Sequence, residues 1–159
     1  LPLHLSRRFD VSATVNGLVF GAAVVSYAAV SPWVGGLSDR LGRERLSALG
    51  LLLCAASLPV LGVADVVWAV ALGMAFFGAC LALALAPTLA AMADVVEALE
   101  SDFASGYVMS NSAYAVGMML GPLAGGALMQ VAGFGITLWA GSAVALVSAV
   151  AVLLGLRKR

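Results

Sequence analysis

Gly35-Gly36-Leu37-Ser38-Asp39-Arg40-Leu41-Gly42-Arg43-Glu44-Arg45 packs five charges into the seven residues from Asp39 to Arg45, in a chain otherwise nearly free of them. Long apolar runs stand on both sides of it. At its simplest the block is a short polar turn between two hydrophobic helices, a place where Arg and Gly collect. Its order is more particular than that: G-x-L-S-D-R-x-G-R-x-R follows directly on a run long enough to cross a bilayer.

The chain around it is 63% hydrophobic and 10% charged, with a mean hydropathy of +1.09. Soluble domains carry about 25% charged residues, so a water-facing surface cannot be assembled from this composition. Lipid solvates the apolar side chains that water expels, and the chain reads as an integral membrane protein. The basic residues lie at Arg7-Arg8, in the opening block and at Arg157-Lys158-Arg159, with no broad basic face for nucleic acid. Cys54 and Cys80 sit inside apolar runs, where free Cys acts as a small hydrophobe. No Cys-x-x-Cys or similar metal spacing occurs, so neither a metal site nor a disulfide is expected, and no cofactor motif is present.

Leu1–Leu5 reads as the end of a partial helix, and Ser12 as a helix N-cap. Complete spans are expected at 15–34, 46–63, 66–86 (trailing weakly towards Ala93), 107–131 and 136–156, each suited to a hydrocarbon core about 30 Å thick. Ala64-Asp65 and Ala132-Gly133-Phe134-Gly135 are the tight turns, and turns that short force neighbouring helices to run antiparallel. All sixteen Asp, Glu, Lys and Arg residues fall outside these spans. A charge at the membrane centre costs about 2.5–3.5 kcal/mol on insertion scales, so the partition supports the boundaries.

One side of the resulting topology carries Arg40, Arg43, Arg45, Arg157, Lys158 and Arg159, the other only Arg7 and Arg8. The positive-inside rule then makes 35–45, 94–106 and 157–159 cytoplasmic in a multi-pass protein of the plasma membrane. Trp68 and Trp139 fall at the opposite interface, where aromatic belts form. Asp94 to Asp102 holds four acids. Glu100 and Asp102 read as solvated, whereas Asp94 and Glu97 lie close enough to the membrane edge for Arg43 or Arg45 to reach.

A second pattern, Gly117-x-x-x-Gly121-Pro122-x-x-Gly125-Gly126, lies in the span 107–131. Small residues four apart let two helix backbones approach closely, and a proline removes a helix hydrogen bond and invites a bend. The two patterns together resemble signatures of the major facilitator superfamily. The charged block is similar to the segment joining its second and third, or eighth and ninth, helices. The glycine–proline run is similar to the signature of its drug:proton antiporters, although the further Gly of that signature, nine residues earlier, is Val108 here.

The resemblance implies an all-α membrane fold of two six-helix bundles, each of two inverted three-helix repeats. This chain would supply one bundle with its first helix truncated. Its affinity is with the drug-efflux and vesicular amine branch. The run Leu72–Gly78 lacks the Arg and Gln that the family's fourth helix carries, while Pro87 followed by Asp94 resembles the tenth helix of the amine transporters. The C-terminal half is therefore expected, the partner being the missing N-terminal six-helix half.

Transport by alternating access follows from the same resemblance, in the form of proton-coupled efflux of a lipophilic or drug-like solute. Gly35, Asp39, Arg40, Gly42 and Arg43 would form a gating loop, with Asp94 and Glu97 as its partners. Gly117, Gly121, Pro122, Gly125 and Gly126 would control a helix bend. Ala82 and Asn111 stand where the amine transporters have acids, and no complete span holds a titratable carboxylate at depth. Coupling protons would thus need an acid from elsewhere. His4 reads as interfacial. Among the few polar groups in the spans, Asn111, Tyr114 and Tyr27 are the candidates for a substrate pathway. Asn111 reads equally well as an interhelical hydrogen-bonding amide, and Met74, Phe76 and Phe77 as packing or lipid-facing residues rather than a pathway wall. The alternative to a transporter is a non-transporting half-bundle that dimerises. No nucleophile–base pair, metal cluster or phosphate loop points to an enzyme.

Overall fold

The computed structural model describes residues 12–64, 66–98 and 103–156. Every regular element among them is a helix: α1 (Ala13–Leu41), α2 (Arg43–Val63), α3 (Val67–Ala98) and α4 (Phe103–Leu156). All four contain stretches long and apolar enough to cross a membrane. The partial first helix, His4, Asp65, Glu100, Asp102 and the terminal Arg157-Lys158-Arg159 lie outside the described residues.

Ser12 caps α1 as its residue type suggests, its hydroxyl accepting from the Val15 amide at 3.4 Å. Beyond the expected span the structure differs from the sequence reading. Residues 35–41 are not a loop but the last two turns of α1, and a new helix begins at Arg43. Only Gly42 leaves helical geometry, with φ 90° and ψ 129°, a conformation that side chains with a Cβ rarely adopt. The charges do not unwind the helix because they sit at its end, where headgroups and water can solvate them. Likewise α3 continues to Ala98 and α4 starts at Phe103, so most of the stretch 94–106 is helical.

α4 is 54 residues long, about 80 Å of helix against a hydrocarbon core of about 30 Å. Gly133, at φ 83°, divides it into arms 103–132 and 134–156. The arms run in opposite directions. Gly106 lies against Met92 and Val96 near the end of α3, while Val152 and Gly155 lie beside Arg43 and Glu44 at the start of α2. Both ends of α4 therefore return to the charged end of the bundle, and Gly133 makes the turn at the far end. The stretches 107–131 and 136–156 fall on different arms, joined through one glycine rather than a four-residue loop.

α3 is the centre of the bundle, packed on one flank by α1 and on the other by α2. Glycines set both contacts. A Cβ at Gly50 of α2 would fall 2.3 Å from the Ala84 nitrogen, and one at Gly78 of α3 would fall 2.1 Å from the Ala23 carbonyl oxygen of α1. No side chain separates the backbones at either point. The arm 134–156 covers the outer face of α2. There Ser142 donates to the Ala55 carbonyl at 2.5 Å, Gly141 faces Leu58 and Gly62 faces Leu138. Val19, Leu61, Val70 and Met74 form one buried cluster, and Val34, Leu46 and Ala82 another towards the charged end.

Candidate functional site: an apolar cleft above a charged helix end

α1, α3 and the arm 103–132 enclose a cleft of about 700 Å³. Its wall on α3 is a helical stripe: Met74, Phe77, Gly78, Leu81, Leu85 and Thr88, residues three or four apart and so on one face. α1 contributes Phe20, Ala23, Val24 and Tyr27, and the arm contributes Ser110, Asn111 and Tyr114. The three pathway residues expected from sequence, Tyr27, Asn111 and Tyr114, are thus brought to one cleft from two helices. Their polar atoms, with those of Thr88 and Ser110, are the hydrogen-bonding groups of an otherwise apolar lining. Thr88 is partly committed, donating to the Leu85 carbonyl at 2.6 Å.

Of the three apolar candidates on α3, Met74 and Phe77 face the cleft and Phe76 does not; Phe76 is 54% exposed on the outer surface. The sequence reading passed over Gly78, whose missing side chain lets α1 close the cleft along the Ala23 contact. It also passed over Thr88 and Ser110. Thr88, a hydroxyl in an apolar helix, and Ser110, next to Asn111, carried a signal in the sequence, whereas Gly78 carried none, because only packing distinguishes the faces of α3.

At the charged end, Arg43 is the hub. Its guanidinium pairs with the Asp94 carboxylate and donates to the Ala90 carbonyl at 2.5 Å, while Asp39, one turn back across the Gly42 break, lies 3.6 Å away. Arg43 reaches both acids because it opens α2 while Asp94 closes α3. Asp39 and Asp94 are both more than half exposed, so the network is solvated and its electrostatic strength is modest. Arg40 and Glu97 are exposed, as is Arg45, the other basic residue placed within reach of Asp94 and Glu97 from sequence. Ser38 is buried and donates to the Gly35 carbonyl at 2.7 Å. Beside the hub, Ser47 donates to the Ala84 carbonyl at 2.7 Å, tying the first turns of α2 to α3.

A smaller hollow of about 290 Å³ lies between the hub and the end of α4, lined among others by Arg43, Pro87, Thr88 and Val152. Thr88 borders both this hollow and the main cleft.

The glycine–proline run behaves differently from expectation. Among the described residues no heavy atom comes within 4 Å of a Cβ placed at Gly117, Gly121, Gly125 or Gly126, so no described helix makes a close-packed pair with this face. The dihedrals stay helical through Pro122, and the sharp departure is at Gly133. Residues 111–124 are exposed throughout.

The sequence profile described as Major Facilitator Superfamily matches residues 1–159. Multidrug resistance protein 2 of Bacillus subtilis (strain 168) is 32% identical over 142 residues, covering 88% of this chain and 34% of that protein. The MFS-type transporter SLC18B1 of Rattus norvegicus is 27% identical over 153 residues, covering 84% of this chain and 32% of its own length. The chain thus spans about a third of each of these relatives.

Proposed function

Because this chain belongs to the Major Facilitator Superfamily, we propose that it forms one helical half of a transporter that carries a small, lipophilic solute across the membrane by alternating access. The observation that carries the reading is the cleft between α1, α3 and the arm 103–132. It is large enough for a drug-sized molecule, mostly apolar, and supplied with a few hydroxyl and amide groups, which is how small-molecule sites are usually built. An oily lining favours a solute that partitions into lipid. Tyr27, Asn111 and Tyr114 would orient it through hydrogen bonds, and Met74 and Phe77 would provide contact area.

The second bundle would close the cleft and meet the glycine face of the arm 103–132, with Gly117, Gly121, Gly125 and Gly126 admitting its backbone. The hub of Asp39, Arg43 and Asp94 would act as the latch at the cytoplasmic end, Gly35, Gly42 and Arg40 shaping and charging its surroundings and Glu97 adding charge beyond it. The excess of basic residues on that side supports the orientation. Efflux of drug-like solutes is in keeping with the name of the Bacillus subtilis relative, a multidrug resistance protein, and coupling to protons across the plasma membrane is the further part of this proposal. None of the described residues lining the cleft is an acid, so the coupling carboxylate would belong to the other bundle or to the partial first helix.

The test is transport by the protein that carries this chain, in sealed membrane vesicles, using a fluorescent lipophilic dye with and without an imposed proton gradient. Asn111→Leu and Tyr114→Ala are expected to raise KM about tenfold or more, while Phe76→Ala, on the outer surface, leaves it within twofold. Asp39→Asn is expected to reduce turnover with little change in KM. Equal effects at Asn111 and Phe76 would remove the cleft from the pathway, and loss of gradient dependence would remove the proton.

A further inference from the structure

The two cysteines of the chain are both buried, one on α2 and one on α3, outside the linings of the cleft and the hollow beside the charged hub. Two contacts set the register of these antiparallel helices. A Cβ at Gly50 would lie 2.3 Å from the backbone nitrogen of Ala84, and a Cβ at Gly73 would lie 2.6 Å from a terminal methyl of Leu61. Cys54 is four residues beyond Gly50 and seven before Leu61; Cys80 is four before Ala84 and seven beyond Gly73. Steps of four and seven return a helical residue to the same face. The cysteines therefore face one another, one turn from the point where the backbones touch. Both are buried, 3% exposed for Cys54 and 1% for Cys80.

We propose that Cys54 and Cys80 form a two-thiol binding site for a soft, two-coordinate divalent cation, with mercury(II) as its probe. Each thiol releases its proton and forms one sulfur–metal bond, giving a neutral bis-thiolate and two protons, with no electron transferred. Neutrality suits the place, because a net charge among apolar spans is costly. A monovalent soft cation held by two thiolates would leave a negative charge there. Zinc wants four ligands, and no group of three or more His, Cys, Asp or Glu side chains is assembled among the described residues. Soft thiolates select soft metals. The local spacing along the sequence gave no hint of this pair, because its members are brought together by helix register across a turn.

The test uses the purified protein that carries this chain, loaded with mercuric chloride and dialysed against an excess of a monothiol. Two sulfurs on one metal raise affinity through effective concentration by about 10²–10⁴-fold. The wild type is expected to retain one mercury per chain more than either Cys54→Ala or Cys80→Ala, whose retention falls about 100-fold or more. A second measurement leaves both cysteines in place. With a protease site inserted in the turn between Val63 and Val67, mercury-treated protein is cut and run on a thiol-free denaturing gel. The two fragments should migrate together and separate when a dithiol is added. Retention no greater than in the single variants, fragments that separate without dithiol, or mercury-linked dimers in place of intrachain pairs would each overturn the site.

Discussion

α2 and the arm 103–132 are both apolar helices of membrane-spanning length, yet they stand in opposite surroundings. α2 is walled by α3 on one side and by the arm 134–156 on the other, and 44% of its most apolar window is buried. Residues 111–124 of the arm are exposed without interruption. Glycine shows the difference most directly. Gly50 of α2 touches the backbone of α3, while Gly117 and Gly121, in the more recognisable motif, meet none of the described residues. A glycine motif therefore identifies a helix face prepared for close approach, and the structure alone tells whether this chain supplies the approaching helix.

The largest expected effect comes from the same substitution made in both regions. Gly50→Ala forces a Cβ against backbone atoms that cannot rotate away, and should destabilise the bundle by about 3 kcal/mol, the upper end of the usual range for overpacking. Gly117→Ala should be neutral or gain up to about 1 kcal/mol from helix propensity in the isolated chain. Unfolding by SDS titration in mixed micelles measures both. If the two changes cost the same in the isolated chain, the contrast is wrong. If Gly117→Ala is harmless there but costly in the protein that carries the chain, the face has a partner.

Next come the two glycines with positive φ. Gly42→Ala and Gly133→Ala should each cost about 1–3 kcal/mol, because both keep a conformation that L side chains avoid while having room for a methyl group. The penalty is thus one of backbone strain, which a side-chain clash could not mimic. A smaller change is expected at the charged hub. Arg43→Gln removes a partner from a solvated pair and should cost about 1 kcal/mol or less, shrinking further as salt is raised. Its effect on transport should exceed its effect on stability. Smallest of all, Ser142→Ala deletes one interhelical hydrogen bond to Ala55 and should cost about 0.6 kcal/mol.

Much of this architecture was legible in the sequence because lipid imposes a simple rule. Charged residues had to lie outside the spans, and the boundaries near Ser12, Ala64 and Gly133 follow from that rule together with capping and turn residues. The pair of Arg43 with Asp94 is one of those left open by the sequence, which placed Arg43 and Arg45 within reach of Asp94 and Glu97 at one end of the spans. What resisted was the fate of the polar block. Composition marks where a helix leaves the hydrocarbon, but not whether it stops there, and α1 continues two turns further before Gly42 breaks it. The cleft was half legible: Tyr27, Asn111 and Tyr114 stood out as polar residues in apolar spans. Met74 and Phe77 could not be told from Phe76, because α3 is apolar on every side and only packing distinguishes its faces. Gly50 and Gly78 were invisible for a related reason. A lone glycine in a helix carries no local mark of the helix that crosses it.

The contact between Gly78 and Ala23 has a mechanical consequence. Ordinary helix interfaces are cushioned by side chains whose rotamers shift to absorb small displacements. Here main chain rests on main chain, and nothing in between can yield. A tilt of α1 would be handed on to α3 undiminished, turning the pair into a single stiff lever whose far arm is the wall of the cleft.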